Sequence, residues 1–361
     1  MKSSYLILFF SISLFFSCTE KPVSTNPVTD GNLYFPPIGS TTWETSTLPE
    51  VGFDQTSCSE LTTYLEETNT KGFILLKDGK IVIEEYFNSH TQNSNWYWAS
   101  AGKTLTATTV GIAQQESYLS INDKTSDYLG IGWTSEMTTQ ENEITINHQL
   151  SMTSGLDDGV SNPDCHEPSC LHFKNDAGSR WAYHNAPYTL LQDVVSNATG
   201  TNFRDYFETK LKTPVGMDGF WTSLSDIELY WSTTRSMARF GLLVLNDFIW
   251  DEAPILTNPT YIQNLSTSSQ NLNESFGYLW WLNGKNSYML PESQYTFSGF
   301  LLPNAPSDMF AAMGKNDQRI YVIPSKNIVI IRMGEAAYNT NFALSDFDNL
   351  LWEKINAVIN N

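Results

Sequence analysis

The sequence predicts a mixed α/β protein of the α+β type, in which strands from both ends of the chain join one unit. Residues 72–87 contain two β-rich runs around an Asp-Gly pair, which is typical of a hairpin. Residues 319–324 and 327–333 form a second pair of β-rich runs. Turns and short helical patterns fill residues 120–240, which indicates an inserted, mostly helical subdomain. A functional cleft between the two parts is expected.

Three helices are predicted around these strands. Residues 100–115 contain no proline and read as a helix that begins near Ser100. Residues 232–246 place apolar side chains at helical spacing behind a Ser/Thr cap. The stretch from 345 to 357 is also helical in pattern. These helices are expected to cover the sheet.

The composition is that of a globular and acidic protein. The 361 residues include 20 basic and 39 acidic side chains, which give a formal net charge of −19. Hydrophobic residues make up 41% of the chain, enough for a large core. Nucleic-acid binding requires basic surface, so the charge argues against it. It equally argues against electrostatic adhesion to anionic lipid.

The N-terminus predicts an exported protein. Residues 1–17 have one charged side chain, Lys2, ahead of a short apolar run, as in a signal peptide. Cys18 follows directly and resembles the lipidated cysteine of bacterial lipoproteins, although an ordinary signal peptide beside an incidental cysteine is the alternative. Residues 18–48 then read as a flexible tether before a globular domain over 49–361. We expect a lipid anchor in the periplasm or at the outer membrane of a Gram-negative bacterium.

Three further cysteines follow the tether. Cys165 and Cys170 lie close together around a proline, which favours a small disulfide loop in an oxidising compartment. A metal site built from these two thiols with His166 and His172 is the alternative, although the spacing is not that of a recognisable metal motif. Cys58 is expected to be a buried small hydrophobic residue.

Ser100 and Lys103 are the first candidates for catalysis. A helix that begins at Ser100 places Lys103 one turn later on the same face. Serine becomes a good nucleophile only when a base takes its proton, and a buried lysine can be that base. A helix-capping serine beside a surface lysine is the structural alternative.

Two further groups of residues can complete such a site. Tyr183 and Asn185 are two residues apart, so in an extended segment both face one cleft. The tyrosine can carry a proton, and the amide can hold Lys103 or a substrate carbonyl. Lys315 and Asn316 precede the last strand pair, where a cation can bind a substrate anion. The backbone of Gln318 is a candidate donor to an oxyanion.

The order of these motifs resembles that of the serine β-lactamase-like enzymes. This group includes class C β-lactamases, DD-peptidases, family VIII esterases and 6-aminohexanoate-dimer hydrolases. Residues 150–159 (LSMTSGLDDG) and 235–246 (RSMARFGLLVLN) support the resemblance, which covers about residues 70–340. It implies a largely antiparallel sheet flanked by helices, with a helical subdomain.

The resemblance also implies roles for the candidate residues. Ser100 is expected to be the nucleophile, Lys103 the base and Tyr183 a second proton carrier. The substrate is then a small ester or amide, and neither a metal nor a cofactor is required. A DD-peptidase or β-lactamase acting on peptidoglycan-like substrates is the alternative activity. A relative that binds a ligand without catalysis is the alternative of another class.

One departure from the family pattern bears on the substrate. Related enzymes have Lys-Thr-Gly or His-x-Gly as the third motif, whereas Asn316 and Asp317 occupy the last two positions here. A carboxylate at Asp317 would repel the carboxylate of β-lactams, which favours an ester or amide without that anion. The alternative is that Asp317 points away from the site.

Overall fold

The computed structural model describes residues 33–338 and 346–360. The predicted signal peptide, Cys18 and the first part of the tether lie outside the described residues. The helices are α1 Gln55–Glu67, α2 Lys103–Gln115, α3 Ser126–Leu129, α4 Thr138–Glu141, α5 Ile146–Leu150, α6 Asn185–Thr199, α7 Phe203–Phe207, α8 Thr213–Val215, α9 Thr234–Leu245, α10 Pro259–Leu265 and α11 Asp346–Ile359. The strands are β1 Thr70–Lys77, β2 Lys80–Tyr86, β3 Trp96–Tyr97, β4 Phe220–Leu224, β5 Ile227–Ser232, β6 Ile249–Trp250, β7 Ala253–Pro254, β8 Trp281–Leu282, β9 Ser287–Met289, β10 Thr296–Ser298, β11 Phe310–Gly314, β12 Gln318–Ile323 and β13 Ile328–Gly334.

The main sheet has the strand order β2-β1-β13-β12-β11-β8, and its pairs are antiparallel. The first hairpin turns at Asp78 and Gly79, both with positive φ, as a two-residue turn of this type requires. Strand β1 then pairs with β13, so the N-terminal hairpin joins the C-terminal strands in one sheet. The predicted fold class and both predicted strand pairs are confirmed.

Helices cover both faces of this sheet. Ile320 and Tyr321 are neighbours on β12 and therefore point to opposite faces. Ile320 meets α9 at Gly241, where an added Cβ would lie 2.5 Å from a methyl carbon of Val329. Tyr321 meets α11 through Trp352, with ring centroids 5.3 Å apart. The glycine lets α9 pack against β12 and β13 at short range.

The middle of the chain contains short helices and loops, as the sequence indicates, and ends in strands β4 and β5. These two strands form a small antiparallel sheet with β3. Helix α9 begins at Thr234, inside the range predicted for the helical subdomain, yet it packs on the main sheet. In the ranges 33–338 and 346–360, the helices are too short or too polar to cross a bilayer.

A buried ion pair fastens α11 to the sheet. The guanidinium of Arg319 donates to both carboxylate oxygens of Asp348, at 2.6 and 2.8 Å, and both residues are fully buried. The Tyr321 hydroxyl donates to the same carboxylate. Because each charge is paired and hydrogen-bonded, removal of one partner would leave the other charge uncompensated in the core.

We therefore predict that Asp348→Ala lowers the free energy of unfolding by about 3–5 kcal/mol, as expected for one half of a buried pair. Urea denaturation monitored by tryptophan fluorescence measures this. Glu60→Ala is the control, because its pair with Lys354 is exposed, 3.2 Å long, and worth at most about 1 kcal/mol. Equal losses in the two variants would contradict the prediction.

Candidate active site

Ser100 lies in a tight turn at the start of a deeply buried helix. It belongs to the 3₁₀ turn Ala99–Gly102, and α2 begins at Lys103. The turn is anchored by Trp98, whose indole donates to Ser232 Oγ at 2.8 Å and packs edge-on against Tyr230. Ala99 has a φ of 48°, a left-handed conformation that a non-glycine residue adopts at a cost. Packing around Trp98 thus fixes the direction of the serine.

Lys103 meets Ser100 as the spacing predicts. Its Nζ donates to Ser100 Oγ at 3.1 Å. The side chain is buried, and its ammonium lies 5.2 Å from the ring centre of Tyr183 and 4.4 Å from that of Tyr188. Burial lowers the pKa of Lys103 to about 7, and the charge of Asp164 opposes this shift. A large fraction of Lys103 is therefore neutral near pH 7 and able to accept a proton.

Tyr183 lies at the same centre, and its protonation behaviour differs from that of Lys103. Burial raises the pKa of its phenol above the ordinary value, and a hydrogen bond with Ser100 opposes the shift. The ring stacks on Trp281, with centroids 5.8 Å apart. At neutral pH the phenol keeps its proton, so Lys103 is the better base and Tyr183 the better proton relay.

Asn185 does not follow the extended geometry assumed from the sequence. His184 is the N-cap residue and Asn185 is the first residue of α6, so Tyr183 and Asn185 lie on either side of a helix start. The amide nitrogen of Asn185 donates to Asp164 Oδ1 at 2.6 Å. Asn185 is therefore held by a carboxylate that the sequence analysis did not select.

The residue before the third motif, Gly314, packs against the serine turn. At Gly314, the last residue of β11, an added Cβ would lie 2.4 Å from the carbonyl oxygen of Trp98 and 2.9 Å from the Ala101 nitrogen. Lys315 follows directly and is exposed. In the part of the chain that the structure describes, Nζ of Lys315 has no ion-pair partner.

The loop after Gly314 is held by buried donors. Asn316 adopts a left-handed conformation, and its amide donates to the Tyr97 hydroxyl at 2.6 Å. Its carbonyl oxygen accepts from Gln318 Nε2 at 2.8 Å and from Arg332 at 2.9 Å. Gln318 is fully buried and also exchanges two hydrogen bonds with the Gly334 backbone. The Gln318 side chain thus braces the loop. The role of the Gln318 backbone as an oxyanion donor stays a prediction.

Asp317 points into the protein and not toward the substrate. It is buried, accepts from Arg319 at 3.0 Å, and accepts from the Ala337 backbone at 2.9 Å. The positive φ of Asn316 and Asp317 turns the loop so that successive side chains diverge. The argument that this carboxylate repels anionic substrates is therefore wrong, because its charge is paired with a buried guanidinium.

The cysteines are arranged as follows. Cys165 and Cys170 are joined by a disulfide, and Cys58 is a free, partly buried thiol. His172 forms a 2.8 Å hydrogen bond with Ser135. Across residues 33–338 and 346–360, the acidic, histidine and cysteine side chains form no group able to hold a metal ion.

The sequence analysis missed three residues at this site: Tyr188, Asp164 and Gly314. Tyr188 lies three residues after Asn185 on α6, so a helix boundary placed at Asn185 would have shown that it faces Lys103. Asp164 lies 21 positions before Asn185, and no local pattern links the two. Gly314 precedes the motif whose lysine was selected, and only its packing against Trp98 shows its importance.

Comparison with known proteins identifies the class of this fold. The beta-lactamase family model matches residues 64–351. An uncharacterized protein of Alkalihalophilus pseudofirmus is 23% identical over 311 residues, covering 75% of this chain and 85% of that protein. A Bacillus anthracis structure, provisionally described as a 6-aminohexanoate-dimer hydrolase, superposes with a TM-score of 0.67 at 16% identity and 87% coverage of both chains. A Bacteroides dorei structure, provisionally described as a beta-lactamase, gives 0.68 at 16% identity, covering 86% and 100%.

The sheet, the serine turn and the buried lysine define a serine hydrolase of the β-lactamase fold. Since its model spans most of the chain, the protein belongs to the beta-lactamase family. The predicted resemblance is confirmed at this level.

The protonation states predict the acid side of the pH–rate profile. Lys103 accepts a proton only when neutral, and its pKa is lowered to about 7, so kcat/KM for an ester should rise with pH through about 7 and then level off. Initial rates of p-nitrophenyl ester hydrolysis between pH 5 and 9 measure this. A rate that stays flat through that range would contradict Lys103 as the base.

We also predict that Gly314→Ala lowers activity more than stability. The added Cβ would press on the Trp98 carbonyl and displace the serine turn, because backbone cannot yield as a flexible side chain can. We expect a loss of about 100-fold in kcat/KM, as for a misplacement of catalytic groups by about 1 Å. Gly299→Ala is the control, since its Cβ would meet open space; its φ of 99° adds a backbone strain that Gly314, with a φ of −130°, does not have. Comparable activity in the two variants would argue against this role of Gly314.

Proposed function

We propose that this protein hydrolyses an ester or amide through an acyl-enzyme on Ser100. The observation that carries the proposal is the 3.1 Å contact between Ser100 Oγ and the buried Lys103, whose pKa is lowered to about 7. A serine beside an ordinary surface lysine would have no base at neutral pH. This arrangement argues against a relative that only binds ligands.

The proposed reaction has two stages. Neutral Lys103 takes the hydroxyl proton as Ser100 Oγ attacks the substrate carbonyl carbon, and the carbonyl oxygen becomes an oxyanion. We assign its hydrogen-bond donors to the Ser100 backbone and to the end of β11, which packs against the turn at Gly314. The leaving alcohol or amine receives the proton from Lys103 through the Tyr183 phenol. Water then attacks the acyl carbon and gives its proton to Lys103 through the Tyr183 phenol. The bond between the acyl carbon and Ser100 Oγ breaks, the acid leaves, and Lys103 returns the proton to Ser100 Oγ.

A peptidase or β-lactamase acting on a carboxylate-bearing substrate is the second candidate. The specific observation in its favour is that Asp317 is buried whereas Lys315 is exposed. With the carboxylate turned inward, the charge presented at the end of β11 is positive, and a substrate carboxylate would be attracted. This candidate shares the Ser100 chemistry and differs in the leaving group.

The test compares a neutral p-nitrophenyl ester with a chromogenic cephalosporin, which has a carboxylate. Both are assayed with the wild type and with Ser100→Ala, which should abolish turnover of either substrate. Ester turnover alone would support a neutral substrate, and efficient cephalosporin turnover would support the second candidate. Activity that survives in Ser100→Ala would overturn the mechanism.

Lys315→Met separates the two candidates further. If a substrate carboxylate meets Lys315, kcat/KM for the cephalosporin should fall about tenfold, equivalent to about 1.4 kcal/mol, while ester turnover changes little. Lys326→Met is the matched control, because this lysine lies in the turn at the opposite end of β12. An equal loss for both substrates would mean that Lys315 supports the loop and does not select the charge.

We further propose that the enzyme is exported and anchored at a membrane through a lipid on Cys18. The apolar N-terminal run supports this, and so does the Cys165–Cys170 disulfide, which is stable in oxidising compartments. In cells, Cys18→Ala should move the protein from the membrane fraction to the soluble fraction. Membrane retention by that variant would contradict the anchor.

A further inference from the structure

A short disulfide loop follows Asp164, the residue whose carboxylate accepts from the Asn185 amide. Asp164 immediately precedes Cys165, and the bond to Cys170 closes the loop that follows. The Asp164 backbone nitrogen donates to Asn162 Oδ1 at 3.2 Å, and Asn162 in turn donates to Asp226 at 2.8 Å. Asp164 is thus fixed from the N-terminal side by hydrogen bonds and from the C-terminal side by a covalent bond.

The carboxylate of Asp164 sets the orientation of the Asn185 amide. An ionised carboxylate only accepts hydrogen bonds, so the amide nitrogen of Asn185 must face it, as the 2.6 Å contact shows. The amide oxygen then points elsewhere; it is buried and lacks a hydrogen-bond partner among the described residues. Asp164 therefore leaves Asn185 with a free acceptor, which suits a cation or a substrate N–H group.

Asp164 also supplies the negative charge that acts on Lys103. Lys103 contacts the Ser100 hydroxyl and the rings of Tyr183 and Tyr188, and the Asp164 carboxylate acts on it from beyond ion-pair distance. Burial raises the pKa of both phenols, so they are neutral at physiological pH.

His184, which also faces Asp164, adds no positive charge. Burial lowers its pKa to about 4, so the ring is neutral at the pH of catalysis. The charge of Asp164 consequently acts on the protonated lysine without a competing cation from this histidine.

We propose that Asp164 is a positioning residue of the catalytic site, orienting Asn185 and stabilising protonated Lys103, and that the Cys165–Cys170 loop holds it in place. The proposal rests on the proposed function, because it concerns the base of that reaction. Asp164 does not touch the reacting atoms; it acts through Asn185 and Lys103. An opened loop would let the carboxylate leave the amide and turn into solvent.

Three variants test the proposal. Asp164→Asn keeps an oxygen that can accept from Asn185 but removes the charge. Asp164→Ala removes both, and Cys165→Ser with Cys170→Ser opens the loop. Glu167→Gln is the matched control, since it removes an exposed carboxylate from the same loop.

Two readouts are made on each protein. One is the pH dependence of kcat/KM for the p-nitrophenyl ester. The other is the titration of Lys103 followed by its ¹³Cε chemical shift in ¹³C-lysine-labelled protein, assigned with Lys103→Arg. The second readout does not depend on turnover.

Loss of a nearby negative charge makes a lysine easier to deprotonate. Asp164→Asn should therefore move both midpoints to lower pH by on the order of half a unit or more. Asp164→Ala should show the same shift together with a loss of about tenfold in kcat, because Asn185 is no longer oriented. The loop-opened variant should shift in the same direction, and Glu167→Gln should not shift.

An unchanged Lys103 midpoint in Asp164→Asn would overturn the role of Asp164. A shift in that variant without one in the loop-opened variant would overturn the role of the disulfide. If the wild type showed no Ser100-dependent turnover, the proposed function would fail, while the ¹³C titration would still decide whether Asp164 acts on Lys103.

Discussion

The burial of Lys103 against Ser100 is the constraint on which the rest of the site depends. An ammonium group loses much of its hydration when it is enclosed, and the two tyrosine rings that surround it replace that hydration only in part. The neutral amine is favoured as a result, and it lies at hydrogen-bond distance from the serine hydroxyl. The same enclosure keeps the Tyr183 phenol protonated. One physical cause, low hydration, thus favours the neutral form of both groups, an amine without its extra proton and a phenol that keeps its own.

Such an enclosure requires surroundings that do not move. The serine turn is fixed by the fully buried Trp98, and the end of β11 packs against it through Gly314. The following loop is braced from beneath by Gln318 and Arg332, whose donors meet backbone carbonyls of the loop. These braces are polar groups in the core, and each is satisfied by several partners, as buried polar groups must be. The main sheet therefore supports the active-site loop as well as the fold.

The sequence and the structure agree most closely where the pattern is local. Asp78-Gly79 between β-rich runs, the Ser-x-x-Lys spacing and the C-terminal strand pair each depend on neighbours within a few residues. They disagree where a side chain's direction depends on distant parts of the chain. Asp317 is an example, because its carboxylate accepts from the backbone of Ala337, 20 residues later, and from Arg319, which Asp348 of α11 holds in place. Asn185 is another, since a helix begins at this residue and a carboxylate 21 positions earlier holds its amide.

The mixed α/β class and the strand pairs near the two ends of the chain followed from the sequence, which also selected Ser100, Lys103 and Tyr183 as candidates. It could do so because hydrophobic period, turn residues and helical spacing are properties of short segments. The charge exposed at the end of β11 and the packing of Tyr188 against Lys103 followed only from the tertiary structure. Those depend on which buried groups meet after the N-terminal hairpin has paired with the last strand, and pairing over such a distance leaves no local signal.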